Sequence, residues 1–65
     1  MTLNFEQWNL DTLRESHDSI ETAANALLDG FDYISPTAAM TDAYEYLRLC
    51  QYAMAKEIKS RGETL

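Results

Sequence analysis

Apolar residues recur at helical spacing in two long stretches of the chain, separated by a short segment that holds a glycine and a proline. In the first stretch they step by three and four residues, through Leu10, Leu13, His17, Ile20, Ala24, Leu27 and Phe31. This is the a/d heptad pattern of helices that pack side by side, with His17 as a polar interruption. No run of alternating apolar and polar residues indicates a strand. The fold class is therefore predicted to be all-α.

Capping signals give the first helix approximate bounds. Asn4 is a good N-cap, and Gln7 is placed to complete a capping box with it. Gly30 offers a left-handed C-cap. We therefore expect a helix at about residues 5–29 and a hinge at 30–35.

The second helix has two candidate starts. Ser35 followed by Pro36 is typical of an N-cap and a first helical position, which predicts a helix at about residues 36–61. Thr41–Asp42 offers a later start, in which case residues 36–41 form a separate turn.

A chain of 65 residues has room for one domain, here residues 1–65, folded as an antiparallel two-helix hairpin. Two helices bury only one stripe each, and the second helix carries more apolar surface than one seam needs. We therefore expect the hairpin to dimerise into a four-helix bundle. The predicted dimer core consists of the inward heptad positions Leu13, His17, Ile20, Leu27, Leu47, Cys50 and Met54.

Aromatic residues are frequent for so small a chain, and they cannot all fit one seam. Such side chains are common anchors of protein interfaces. They either complete a homodimeric core or contact a different protein, and the two uses are compatible on different faces. The predicted partner-binding residues are Tyr44, Glu45, Tyr46, Leu49 and Tyr52.

Charge is unevenly distributed. The net charge is −6, and residues 1–34 hold seven acidic residues but only one basic residue, Arg14. An acidic surface repels phosphate backbones, so we do not expect direct nucleic-acid binding. The acidic residues have three possible uses: they keep a small protein soluble, steer it to a basic partner or mimic a nucleic acid. In the case of mimicry, the residues that stand in for phosphates are Asp11, Glu15, Asp18 and Glu21.

Cys50 is the only cysteine, as expected in a reducing compartment. The first residues lack the basic region and apolar run of a signal peptide, and no apolar stretch is long enough for a membrane span. We therefore expect a cytoplasmic protein that does not bind a membrane.

Catalytic and cofactor motifs are not found in the sequence. The hairpin brings His17 level with Cys50, but no orienting amide and no oxyanion-hole loop accompany this pair. Spacing for a zinc or di-metal site and a glycine-rich phosphate loop are also missing. We predict a non-enzymatic protein without cofactor or metal, in which His17 fixes helix register or responds to pH.

Two segments, Asp42–Leu47 and Leu49–Met54, resemble the second helix of the small quorum-sensing anti-activators of Pseudomonas phages, and Asp11–Arg14 is similar to their first helix. The resemblance implies a dimeric helical hairpin, made early in infection, that binds and disables host proteins such as a transcription factor. It also implies a location in the host cell cytoplasm. The architecture is similar to that of the plasmid repressor-of-primer family, but the acidic first helix counts against the RNA binding of that family.

These observations predict a small phage- or plasmid-encoded regulator that inhibits or modulates a larger host protein by occluding its surface. The alternatives are an acidic nucleic-acid mimic and a structural assembly subunit.

Overall fold

The computed structural model describes residues 3–64 and contains two helices, α1 (Leu10–Gly30) and α2 (Ala38–Ser60). No strand occurs among these described residues, in agreement with the all-α prediction. Arg14 near the start of α1 reaches Glu63 just beyond the end of α2, so the two helices run antiparallel. Three positions of the predicted domain 1–65 lie outside the described residues: Met1, Thr2 and Leu65.

The described chain is a single layer of two helices. Its principal extents are 40 × 23 × 14 Å. A helix with its side chains is about 10–12 Å across, so the shortest dimension leaves no room for a second layer. Both broad sides of the hairpin therefore face solvent.

The first helix begins at Leu10, later than the expected start near residue 5, and the prediction of Asn4 as its N-cap was wrong. Asn9 is the N-cap, and its side-chain oxygen accepts hydrogen bonds from the backbone N–H groups of Asp11 (2.8 Å) and Thr12 (3.4 Å). Asn4 instead accepts from the N–H of Glu6 at 3.0 Å in a turn of its own.

Burial of Phe5 explains this later start. A helix continued back to residue 5 would place Phe5 about 80° around the axis from Leu13, away from the seam. The break at Asn9 instead lets Phe5 fold onto the core, where it is 8% exposed. We call residues 3–9 the N-terminal strap.

The second helix begins at Ala38 rather than at Pro36. Thr37 is its N-cap, and the Thr37 hydroxyl accepts from the N–H of Met40 at 3.2 Å. The helix continues through Thr41–Asp42, so the alternative of a separate turn at residues 36–41 was wrong. Two good N-cap residues lie within three positions, Ser35 and Thr37, and the sequence does not rank them.

The two glycines behave differently. Gly62 has φ 80°, the left-handed conformation that ends helices and that glycine adopts without strain. Gly30 is the last residue of α1 and stays helical, and the C-cap is Phe31 with φ −65°. The prediction of a left-handed C-cap at Gly30 was therefore wrong, and the connection between the helices runs over residues 31–37.

The core lies at the end of the hairpin remote from the connection. Leu13 and Ile58 have no exposed surface, and they cluster with Met54 and Phe5. The packing is less complete towards the connection, as the 45% exposure of Leu28 shows.

Arg61 fastens the strap to the end of α2. Its guanidinium donates to the backbone carbonyls of Phe5 (3.0 Å) and Glu6 (3.2 Å). The Arg61 Nε–H donates to the Glu57 carboxylate at 2.8 Å, one helical turn earlier. Trp8 completes the strap by packing edge-on against the ring of Phe5, with 5.0 Å between ring centroids.

We predict that Leu13→Ala lowers the free energy of unfolding by about 2–5 kcal/mol, because it leaves a cavity in a fully buried site. Leu28→Ala is the matched control on the same helix and should cost less than about 1 kcal/mol, since that side chain is half exposed. Urea unfolding followed by circular dichroism, at one protein concentration, measures both. Equal losses for the two variants would contradict this location of the core.

Candidate interaction surface

The structure places most of the predicted partner-binding residues on the outside of α2. Tyr46 is 46% exposed, Leu49 59% and Tyr52 75%. Glu45 is also exposed. Tyr44 lies apart from them, half-buried, with its ring edge-on to Phe31 at 6.1 Å between centroids. The predicted set is therefore one exposed group on the outer surface and one side chain that packs on the connection.

A second heptad series follows the outer surface of α2. At steps of four and three residues it comprises Asp42, Tyr46, Leu49, Ala53 and Lys56, which we call the α2 stripe. At about 100° per residue these five positions fall within about 80° of one another around the helix. Ala53 is half-buried and packs against the core cluster, whereas the rest of the α2 stripe is exposed. This helix thus carries one seam that α1 covers and a second series whose members, apart from Ala53, are exposed.

The strap forms one wall of a groove beside the α2 stripe. Leu3 and Phe5 line the groove on the strap side, and Leu49, Tyr52 and Ala53 line it on the helix side. The groove is open to solvent, and its lining also includes charged residues: Glu6, Lys56 and Glu57.

Charge divides the two broad sides of the hairpin. On one side, which we call the charged side, Asp18 and Glu21 of α1 line a second groove. Arg48, Gln51 and Tyr52 of α2 form its other wall. The flank of α1 on the opposite side, next to the α2 stripe, carries no charged residue and consists of Thr12, Ser16, Ser19, Ile20, Ala23, Ala26 and Leu27. Ile20 and Leu27 are half-buried there. We call this flank together with the α2 stripe the apolar side.

Arg48 ties the two helices together on the charged side. Its guanidinium donates to the side-chain oxygens of Asn25 on α1 (2.8 Å) and Gln51 on α2 (2.8 Å). Its Nε–H donates to the Tyr44 hydroxyl at 3.0 Å, and the guanidinium carbon lies 5.2 Å from the centre of the Tyr44 ring. Tyr44 is therefore held in place by its own helix, which separates it from the exposed residues of the predicted partner-binding set.

The residues predicted to form a dimer core divide into two groups. Four of them are buried within one chain, along the seam between the helices: Leu13, His17, Cys50 and Met54. The other three are only half-buried: Ile20, Leu27 and Leu47. The first group is thus already covered by the hairpin itself, and only the second retains surface for a further chain.

His17 and Cys50 are both buried in the seam, at 8% and 9% exposure. The His17 Nδ1 lies 3.3 Å from a carboxylate oxygen of Asp18, its neighbour in sequence. Cys50 is a free thiol. The imidazole is thus oriented from its own helix, at the edge of the charged side.

One group of potential metal ligands occurs among the described residues: His17, Asp18 and Glu21, whose ligand atoms lie within 4.8 Å of one another. The two carboxylates are exposed, and all three residues come from one helix. The Arg48 guanidinium lines the same groove and opposes a cation electrostatically. The group therefore offers ligand atoms but not the enclosed, charge-balanced cage of a dedicated metal site.

Comparison with known proteins gives no match: no family model matches the chain, and no curated protein or solved structure is significantly similar to it. Within residues 3–64, neither helix combines the length and the apolar character needed to cross a bilayer.

Sequence reasoning missed the part played by the strap and by Arg61. Phe5 was assigned to a helix, and its place in the core depends on the N-cap of α1 at Asn9, where the backbone is extended. The presence of two asparagines, Asn4 and Asn9, before the first heptad position was the available signal. The bonds from Arg61 to the strap join residues 56 positions apart, which no local pattern reveals.

We predict that Arg48→Ala and Asn25→Ala are coupled by about 0.5–1 kcal/mol in a double-mutant cycle of unfolding free energies, because their interhelical hydrogen bond is partly exposed. Arg48→Ala with Ser60→Ala is the control pair, since the Ser60 hydroxyl bonds to Glu57 and shares no hydrogen-bond partner with Arg48. Additive losses for Arg48 and Asn25 would contradict a fastening role.

Proposed function

We propose that this protein is a small non-enzymatic binding protein that inhibits or modulates a larger host protein by occluding part of its surface. The exposed row of Tyr46, Leu49 and Tyr52 on α2 carries the proposal. Leu49 and Tyr52 line the groove beside the strap, and Tyr46 lies about one turn before Leu49 on the same helix. A rigid helix that presents aromatic and aliphatic anchors is a common way to bind a protein partner.

Self-association is part of this proposal, with two hairpins forming a four-helix bundle. The support is the single-layer shape, only 14 Å thick, and the apolar side that it leaves in solvent. Half-buried Ile20 and Leu27, which belong to the apolar side, would lose their remaining exposure in such a bundle. Burying apolar surface contributes about 25 cal/mol per Å², and a chain of this size has little other means to gain stability.

The proposed setting is the cytoplasm of a host cell, where a phage- or plasmid-encoded regulator acts. The free thiol of Cys50 is in keeping with a reducing compartment. A host transcription factor is the kind of target that we propose, on the strength of the resemblance to phage anti-activators.

A second candidate function is mimicry of a nucleic acid. The exposed carboxylates of Asp11, Glu15, Asp18 and Glu21 all lie on one flank of α1. Successive members are separated by about 4.5–6 Å along the helix axis, comparable with phosphates along a strand. A basic groove on a nucleic-acid-binding protein would be the target in that case.

We expect Tyr52→Ala and Leu49→Ala each to weaken binding of the host protein at least tenfold, because each removes a large apolar contact from the exposed row. Tyr33→Ala is the matched control, since Tyr33 is 88% exposed but lies in the connection. Titration calorimetry with the protein recovered from a host lysate measures the effect. Equal loss on Tyr33→Ala, or none on Tyr52→Ala, would contradict the proposed surface.

Salt dependence separates the two candidate functions. Binding through the exposed row should change little with ionic strength and survive replacement of the four α1 carboxylates by amides. Binding by mimicry should instead weaken steeply as the salt concentration rises, and it should be lost when the four α1 carboxylates are replaced by amides.

A further inference from the structure

The α2 stripe has a symmetric pattern of charge. Asp42 lies seven residues before Leu49, and Lys56 lies seven residues after it. An interval of seven is two helical turns, so the three residues lie almost on one line along the helix. The stripe is therefore acidic at one end, apolar in the middle and basic at the other end.

Neither charged end of the stripe is neutralised within the hairpin. Ion pairs among the described residues are Arg14–Glu63, Arg61–Glu57 and His17–Asp18, and none involves Asp42 or Lys56. Both side chains are exposed, on the same line as Leu49. Two opposite charges thus flank an exposed leucine without a partner in the described part of the chain.

A surface of this kind is complementary to itself when one copy is reversed. We propose that two copies of this chain pair through their α2 stripes in antiparallel orientation, about a two-fold axis that passes beside Leu49. The axis places Asp42 of each copy against Lys56 of the other and Leu49 against Leu49. This inference rests on the self-association included in the proposed function and adds its orientation and register.

Electrostatics favours a second copy on the apolar side over one on the charged side. Each chain has a net charge of −6, so two copies repel when their charged sides meet. The flank of α1 beside the stripe has no charged residue, and the stripe itself carries one charge of each sign. The apolar side is therefore where two copies approach with least repulsion, and two Asp–Lys contacts then set the orientation.

A parallel pairing lacks this advantage. It places Asp42 beside Asp42 and Lys56 beside Lys56, which are two like-charge contacts. Isologous two-fold interfaces are also the commonest form of self-association in soluble proteins, and they require a self-complementary patch such as this one.

The pairing has a consequence for the proposed function. Because the dimer covers Leu49, a larger protein that uses the same row has to displace the second copy. Self-association would then set how much of the exposed row is free to bind.

The test uses two variants that should each fail to pair with themselves but pair with one another. Asp42→Lys gives two Lys–Lys contacts in its own dimer, and Lys56→Asp gives two Asp–Asp contacts. We expect each alone to raise the dimer dissociation constant about tenfold or more at low salt. In an equimolar mixture the contacts are again Lys with Asp, so dimerisation should return to the wild-type level. Sedimentation equilibrium measures all three, and circular dichroism confirms that each variant remains helical.

Asp32→Lys and Lys59→Asp are the matched controls, since they change the net charge equally from exposed positions outside the stripe. Alone they should shift the dissociation constant much less, and their mixture should gain no extra affinity. If the stripe variants behave like these controls while the wild type is a dimer, the orientation is wrong and self-association stands. If the wild type is a monomer up to millimolar concentration, the orientation and self-association are both wrong, and the stripe is available to a different partner.

Disulfide trapping provides an independent readout of the register, in a Cys50→Ser background. Leu49→Cys should cross-link two copies across the two-fold axis. Asp42→Cys should not cross-link to itself, because two such positions are separated by about 21 Å along the axis at 1.5 Å per residue. It should cross-link to Lys56→Cys instead. Self-cross-linking of Asp42→Cys would overturn the antiparallel arrangement.

Discussion

The fold depends on a single seam between two helices. Leu13 and Ile58, which have no exposed surface, lie at one end of this seam and join the start of α1 to the end of α2. Because the hairpin is one layer thick, this seam is the only place where the two helices can exclude water together. Among the described residues, most side chains outside the seam and the strap lie at the surface, so the residues that the seam leaves out determine the character of that surface.

The strap compensates in part for so small a core. Phe5 adds an aromatic ring to the open end of the seam, and Arg61 holds the strap there through two backbone carbonyls. The opposite end has no such cover, and Leu28 and the connection remain exposed. Arg48 contributes a polar tie between the helices on the charged side. Stability is therefore concentrated at the end where the strap meets the end of α2.

The surface separates by chemistry into two sides. Acidic residues of α1 lie on one broad side, together with Arg48. The other broad side combines the uncharged flank of α1 with the α2 stripe and the groove beside the strap. Each side suits a different class of contact: Tyr46 and Leu49 are on the second side, and Tyr52 lines the grooves on both sides. The proposed binding role and the proposed antiparallel pairing both depend on this separation.

Periodicity along the chain was sufficient to determine two helices and their inward residues, because helix formation and heptad spacing are local properties. It also indicated that α2 has more apolar surface than one seam needs, and the exposed side chain of Leu49 agrees with this. The break at Asn9, the burial of Phe5 and the bonds made by Arg61 depended on tertiary structure. These features join residues that are distant in sequence. A local pattern cannot show that burial of the Phe5 ring is more favourable than extending α1 by five residues.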